Sequence, residues 1–392
     1  MREGTARRDP LRAANRRRVL EALARLGSGT NADLCRETHL SRATVTSVVA
    51  ELRDDGLVRS VDGPRTGTRG RPAGRLALAP PPGLTAVVEV AVGSLRVALG
   101  TLEPRVRAER VVRVDTRSSG TAALEVAART VRELQVEVGA KDLSRVVLGV
   151  PGPLDPRTGV VRSGVLLPGW ADLDPVARLG GLLGVPVTAD NDANLVALGE
   201  ATYGAGAGHR DLVVVDLCDG IGAGLVLDGR LHRGTSGIAG EIGHVQVVHE
   251  GGRPCRCGST GCLETVASAP QVLAALSDEL GSPADLELLA SLAAEGSTAA
   301  QRILRTAGLA VGRVLAPVCA TLDLGAVVTG GAVGGLGTAL QEGVAEAVDR
   351  RGSARAVEVL RGRLGTRAGV LGGFALAAQE QGHVLRPRPL IA

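Results

Sequence analysis

The run Cys255-Arg256-Cys257-Gly258-Ser259-Thr260-Gly261-Cys262, with His244 upstream, decides how the rest of this 392-residue chain is read. Three thiols and one imidazole make a closed tetrahedral set for Zn²⁺. The glycines let the loop turn tightly enough for the sulfurs to converge. With all four positions filled by protein, such a metal is structural and leaves no open site for water chemistry. Half of the six cysteines fall inside this run, which fits a metal loop and not a disulfide scaffold. Cys35, Cys218 and Cys319 are scattered and read as core. Glu241 lies just before His244 and Glu264 just after Cys262, so a metal-pinned loop would aim both carboxylates into a cleft.

Around this loop the chain alternates apolar strands with helical stretches. Val87 to Leu99, bent at Gly93, reads as a hairpin, and Leu124 to Val138 as a helix. Val146–Val150 is a buried strand running into Pro151-Gly152-Pro153, which cannot be helical. Pro186–Ala189 leads into Asp190-Asn191-Asp192-Ala193-Asn194 and a helix. Leu212–Val215 runs into Gly220-Ile221-Gly222-Ala223-Gly224, and Ala326–Thr329 into Gly330-Gly331. The expected body is α/β, with two similar lobes and a cleft at the carboxyl ends of the strands. Most of these glycine runs read as turns. Asp190-Asn191-Asp192 has two readings: polar groups ringing a polyhydroxyl ligand, or an N-cap cluster for the next helix.

The front of the chain is different. Residues 1–78 carry 16 Arg against 9 Asp and Glu, net +7, whereas the remainder is net −3. A basic segment on a mildly acidic body points to nucleic acid. Residues 11–26 have apolar side chains at helical spacing; a short helix from about Asn31 to Thr38 follows. His39-Leu40-Ser41 makes a turn with Ser41 as N-cap, and a third helix runs from about Arg42 to Arg53. Its Val45, Val48, Val49 and Leu52 face inward, leaving Arg42, Thr44, Thr46 and Ser47, side chains suited to reading base edges in a major groove. Leu57–Val61 and Arg75–Leu78 read as the strands of a wing. Its tip holds Arg69 and Arg71, which either enter a narrow minor groove or touch phosphates only. Pro80-Pro81-Pro82-Gly83 is a stiff linker, giving a winged helix-turn-helix over 1–79 and an α/β body over 80–392.

Hydrophobic residues are 44% of the chain, enough for sizeable cores, yet the only aromatics are Trp170, Tyr203 and Phe374. Those cores must be aliphatic. No uninterrupted apolar run reaches about 18 residues, so no membrane span is expected. The N-terminus lacks an apolar signal core, and a reducing cytoplasm is the expected location.

Taken together these motifs resemble the ROK family (repressors, open reading frames and sugar kinases), within the actin-like sugar-kinase fold. The resemblance rests on Gly149-Val150-Pro151-Gly152-Pro153-Leu154-Asp155, Asn191-Asp192-Ala193-Asn194, Gly240-Glu241-Ile242-Gly243-His244, and the Cys255 to Glu264 run. It implies a two-lobed body in which Asn191, Asp192, Glu241, His244 and Glu264 contact a small sugar or sugar phosphate. His244, Cys255, Cys257 and Cys262 would hold structural zinc. In kinase members the residue matching Asp192 is the general base.

Three departures bear on function. The family's D-x-G-G-T hairpin is Glu89-Val90-Ala91-Val92-Gly93 here, and a loop usually beginning G-T-G is Cys218-Asp219-Gly220. A carboxylate at contact distance from a nucleotide phosphate costs about 4 kcal/mol at an effective dielectric near 20, roughly three decades of affinity. On the sugar side the family's N-L-P-G-W is Leu166-Leu167-Pro168-Gly169-Trp170. The expectation is a sugar-responsive transcriptional repressor of carbohydrate genes, binding double-stranded operator DNA as a homodimer or homotetramer, with no catalysis. The alternatives are an active ATP-dependent, glucokinase-like sugar kinase that also binds DNA, and a regulator that answers to a protein partner.

Overall fold

The computed structural model describes residues 10–61, 74–79, 83–101, 105–155, 157–162, 166–349 and 356–380. Two compact units are separated after Gly83. In the first, α1 (Pro10–Leu26), α2 (Asn31–Thr38) and α3 (Arg42–Asp54) are followed by β1 (Val58–Val61) and β2 (Arg75–Leu78), an antiparallel pair. Val19, Leu23, Leu34, Val45, Val49 and Leu52 close one aliphatic core, so the helical spacing expected for each helix is the spacing that buries it. Thr30 and Asp33 form a capping box at the start of α2. His39 takes the left-handed conformation at its end, and the Ser41 hydroxyl accepts the Thr44 N–H to start α3. The linker prolines, Arg69 and Arg71 lie outside the described residues.

The second unit contains two sheets of the same design. The first lobe has β3 (Leu84–Ala91), β4 (Ser94–Gly100), β5 (Val106–Arg113), α4 (Gly120–Glu137), β6 (Leu143–Val150), α5 (Pro175–Leu183) and β7 (Val187–Asn191). Next come α6 (Asp192–Tyr203), β8 (Leu212–Leu217), β9 (Ile221–Leu227), β10 (Arg230–His232), α7 (Glu264–Ala267), α8 (Ala269–Leu280), α9 (Leu286–Ala294) and α10 (Thr298–Leu322). The described chain ends with β11 (Ala326–Gly330), α11 (Gly331–Gly334), α12 (Ala339–Asp349), β12 (Glu358–Arg361) and α13 (Ala368–Glu380). The strand orders are β5-β4-β3-β6-β7 and β10-β9-β8-β11-β12. In each sheet an antiparallel hairpin leads into two parallel strands, so three strands of each end at the same edge.

Sheet burial explains the unbroken apolar strands. Val213, Val215 and Val327 face α8, α10 and α12, whereas Leu212, Val214 and Val328 pack beneath α6. Covered on both faces, β8 has no reason to alternate. The run Gly220–Gly224, expected to be a loop, is mostly strand: β9 begins at Ile221. Its glycines serve close packing instead, since a Cβ on Gly222 or Gly224 would sit 2.7 Å from Ala193 Cβ or 2.2 Å from Ala197 Cβ on α6. The buried Glu200 on α6 accepts the N–H groups of Ala205, Arg363 and Leu364, which ties the helix to the segment entering α13.

One helix bears on the expectation that no segment spans a membrane. By length and composition α10 is long and apolar enough to cross a membrane. The continuous-run criterion passed over it because Arg302, Arg305 and Arg313 interrupt it. In the fold it is the central helix of the second lobe's core, with Leu304, Val311 and Leu315 fully buried.

Candidate functional site

The cleft sits where the strand ends of the two lobes meet α6. Asn191 closes β7 and caps α6: its Oδ1 accepts the Asn194 N–H at 3.2 Å, and its Nδ2 donates to Gly152 O at 3.1 Å in the first-lobe signature. The N-cap reading of the acidic run therefore holds, with Asn191 as the cap and Asp192 opening the helix. Asp190 does something else. It is buried and receives Arg233 Nε at 2.8 Å and Nη2 at 2.6 Å, together with the Asn191 N–H and Asn194 Nδ2. Arg233, which the sequence reading missed, thus ties the segment after β10 to the end of β7.

Glu241, His244 and Glu264 come from the second lobe. Gly240 has φ +94°, and a Cβ there would lie 1.7 Å from Ala223 O, so only glycine lets this segment lie against β9. The following 3-10 turn, Ile242–His244, presents the imidazole to the cysteine loop. Burial and the neighbouring Glu264 raise the Glu241 carboxyl while His244 opposes them; Glu241 in turn bears on Asp192. These four residues therefore form one electrostatic neighbourhood. Glu264 is buried at the start of α7, where its Oε1 accepts Arg256 Nε at 2.5 Å and its Oε2 accepts the Ile221 N–H at 3.3 Å.

The donor atoms of His244, Cys255, Cys257 and Cys262 all lie within 4.8 Å of one another. Cys257 Sγ is 3.7 Å from Cys262 Sγ, and Cys255 Sγ is 3.6 Å from His244 Nδ1. A tetrahedral metal with bonds of about 2.3 Å to sulfur and about 2.05 Å to nitrogen requires separations of about 3.8 and 3.6 Å. The set fits a metal, which falls on the Nδ1 side of the ring.

The opposite rim is acidic. Burial pushes the Asp192 carboxyl up to about 7, helped by Asp216, and pushes Asp216 itself up to about 6. Burial likewise raises Glu89 to about 8 against the opposing charge of Arg96, whose Nε is 3.6 Å away. Arg96 also pairs with Glu109, which Arg367 contacts at 3.0 Å. At the second hairpin, Cys218 Sγ lies 3.5 Å from Asp216 Oδ1 and 3.4 Å from the Ala332 N that opens α11. Cys218 is thus a polar neighbour in the cleft and not a core thiol, while Cys319 is buried in the second lobe and Cys35 borders the first unit's core. Asp216, like Arg233, was not singled out in the sequence; a carboxylate ending an otherwise apolar strand was the available signal. Trp170 is fully buried, and its Nε1 donates at 2.8 Å to Thr116 O. The Thr116 side chain in turn bridges Ala91 O and the Gly93 N–H, fixing the first hairpin turn.

In the first unit, Arg42, Thr46 and Ser47 are exposed along α3, with Ala43 and Ala50 beside them, and Thr44 is half-buried. All three hydroxyls are engaged locally: Thr44 Oγ1 lies 2.8 Å from Ser41 Oγ, Thr46 Oγ1 donates to Arg42 O at 2.8 Å, and Ser47 Oγ donates to Glu51 Oε1 at 3.4 Å. Arg12 and Arg16 on α1 pair with Glu51, and Arg16 also with Asp55, fixing the pitch of α3.

Residues 14–67 match the model of the MarR family, and residues 86–380 that of the ROK family. The glucokinase of Halalkalibacterium halodurans is 33% identical over 257 residues, 61% of this chain and 78% of that protein. The DNA-binding transcriptional repressor Mlc of Escherichia coli K12 is 29% identical over 327 residues, 79% of this chain and 78% of that protein. A crystal structure of a ROK family transcriptional regulator, a homologue of the E. coli Mlc protein, superposes with a TM-score of 0.82 at 24% identity, covering 96% of this chain and 98% of the other. With a MarR-type winged helix in front of a two-lobed sugar-kinase body, this chain belongs to the ROK family.

Proposed function

We propose that this protein is a sugar-responsive transcriptional repressor that has kept the sugar side of a kinase cleft and given up the nucleotide side. The observation that carries the reading is the second hairpin turn. Cys218 occupies the Ala332 N–H in the first turn of α11, and Asp216 and Glu89 place carboxyl groups, whose ionisation burial opposes, where a nucleotide triphosphate would need cations and backbone donors. The sugar side does not separate sensor from kinase. Asp192, held near neutrality, would serve a general base as well as a hydroxyl acceptor.

In this reading Asn191, Asp192, Glu241 and Glu264 hold a small sugar or sugar phosphate, and His244 joins them through the ring edge turned away from its metal. The metal is zinc, by the preference of three thiolates and an imidazole, and its role is structural. Arg42, Thr46 and Ser47 meet the major groove and Thr44 supports them, with Arg69 and Arg71 on the wing. A homodimer or homotetramer in the cytoplasm would present two such helices to operator half-sites about 34 Å apart. Ligand closes the cleft, and the resulting lobe movement moves the two readers out of register.

The test is operator titration with and without sugar, on wild type and Asp192→Ala. Wild type is expected to change operator affinity by about 5- to 150-fold on sugar binding, and Asp192→Ala to bind DNA without responding. Arg42→Ala should weaken operator binding by roughly 1–3 kcal/mol while leaving non-specific binding nearly unchanged. A variant lacking residues 1–79 that still bound operator would overturn the DNA assignment.

A further inference from the structure

Two side chains far apart in sequence meet at one point of the cleft. Arg256 fills the variable position between Cys255 and Cys257 of the metal loop, and Leu166 stands where the family pattern has Asn. Taking the place where a side chain would begin at Gly220, Glu264 Oε2 is 3.0 Å away, Arg256 Nη2 3.3 Å and Leu166 Cδ1 3.9 Å. The guanidinium is built into this corner: Nε donates to Glu264 Oε1 at 2.5 Å and Nη2 to Asp219 O at 3.0 Å. Leu166, packed against the first lobe's core, reaches the same turn from the other side of the cleft. Glu264 is 7% exposed, and each of its oxygens already accepts a protein N–H.

We propose that Arg256 is a specificity-determining residue that competes with sugar hydroxyls for Glu264. The guanidinium lies on a carboxylate that is only 7% exposed, so a sugar hydroxyl must compete with it for the acceptor sites that remain. Leu166 offers an incoming hydroxyl no replacement partner on the facing lobe. The cleft therefore discriminates against simple neutral hexoses, whose recognition depends on hydrogen bonds at every hydroxyl, and their cost of entry is the charged hydrogen bond of Arg256. The inference rests on the proposed sugar site, but the ion pair itself is testable without any ligand.

The experiment uses the full-length, metal-loaded protein as wild type, Arg256→Gly, Glu264→Gln and the double variant, with metal content checked in each. Glucose and N-acetylmannosamine are the calorimetric probes. If the carboxylate is sequestered in nine molecules of ten, apparent affinity rises about 10-fold when the guanidinium is removed. Arg256→Gly should show that gain for at least one probe, and the double variant should lose it. Equal or weaker binding by Arg256→Gly, with wild type binding measurably, would overturn the proposal. Should no variant bind either probe, the hexose-site reading fails, and melting temperatures decide the inference. A sequestering pair gives a double variant that loses less than the summed losses of the two single variants. Additive losses refute it.

Discussion

The two rims of the cleft handle buried charge in opposite ways. On one rim Asp190 has Arg233 and Glu264 has Arg256, each joined by direct hydrogen bonds. On the other, among the described residues, Asp216 hydrogen-bonds only the Cys218 thiol, and Glu89 has Arg96 at 3.6 Å, shared with Glu109. The first rim is a fixed scaffold. The second is a set of carboxyl groups held near their protonation points, which is poor ground for a phosphate and stable only while part of it stays neutral. The difference among these four acids is whether an arginine hydrogen-bonds to each.

In the proposed reading the metal loop anchors the fixed rim, so its loss should be the largest effect. Cys257→Ser or chelation should abolish stoichiometric zinc and lower stability by several kcal/mol, read by metal analysis with thermal melts. Retained stability without metal would detach the loop from the scaffold. Next, labelled-phosphate transfer across a sugar panel should stay about 1,000-fold or more below an ordinary kinase rate of ~1 per second. Turnover near that rate would erase the contrast between the rims. Arg233→Met leaves Asp190 buried beside no cation and should cost roughly 3 kcal/mol in denaturant titration, less than a fully buried pair because Arg233 is partly solvated.

The smallest effect concerns the other rim and carries a pH signature. Asp216 keeps its proton in the folded state up to about 6, whereas in the unfolded chain it releases it near 3.8. Between those values the folded state binds more protons, so its contribution to stability falls as pH rises through the window. Asp216→Asn should therefore stabilise the protein by about 2 kcal/mol above pH 6 and change little below pH 4. A stabilisation that did not vary with pH would point to packing instead of charge.

Much of this was legible before the fold was known, because it was local. Helical spacing gave α1 to α3, Ser41 announced its cap, and the cysteine spacing announced a metal loop whose donors do converge. The errors were those of context. Gly222 and Gly224 were read as loop because their reason for being glycine is α6, which lies elsewhere in the sequence. Asp216 and Cys218 passed as strand and core because the charge and the N–H they face arrive from Glu89 and Ala332.

By itself, then, the sequence determined the order of the elements, the basic front unit, the cluster that could hold a metal and the acids near it, since each depends on neighbours within a turn or a loop. Only the tertiary structure decided which acids are paired. Arg233 reaches Asp190 across 43 residues, and Arg256, though close to Glu264 in sequence, is aligned with it by the metal loop and by the Asp219 carbonyl. Pairing requires a distance of about 3 Å and an oriented donor, and in a chain this long that is set by how the sheets and helices pack, not by residue type.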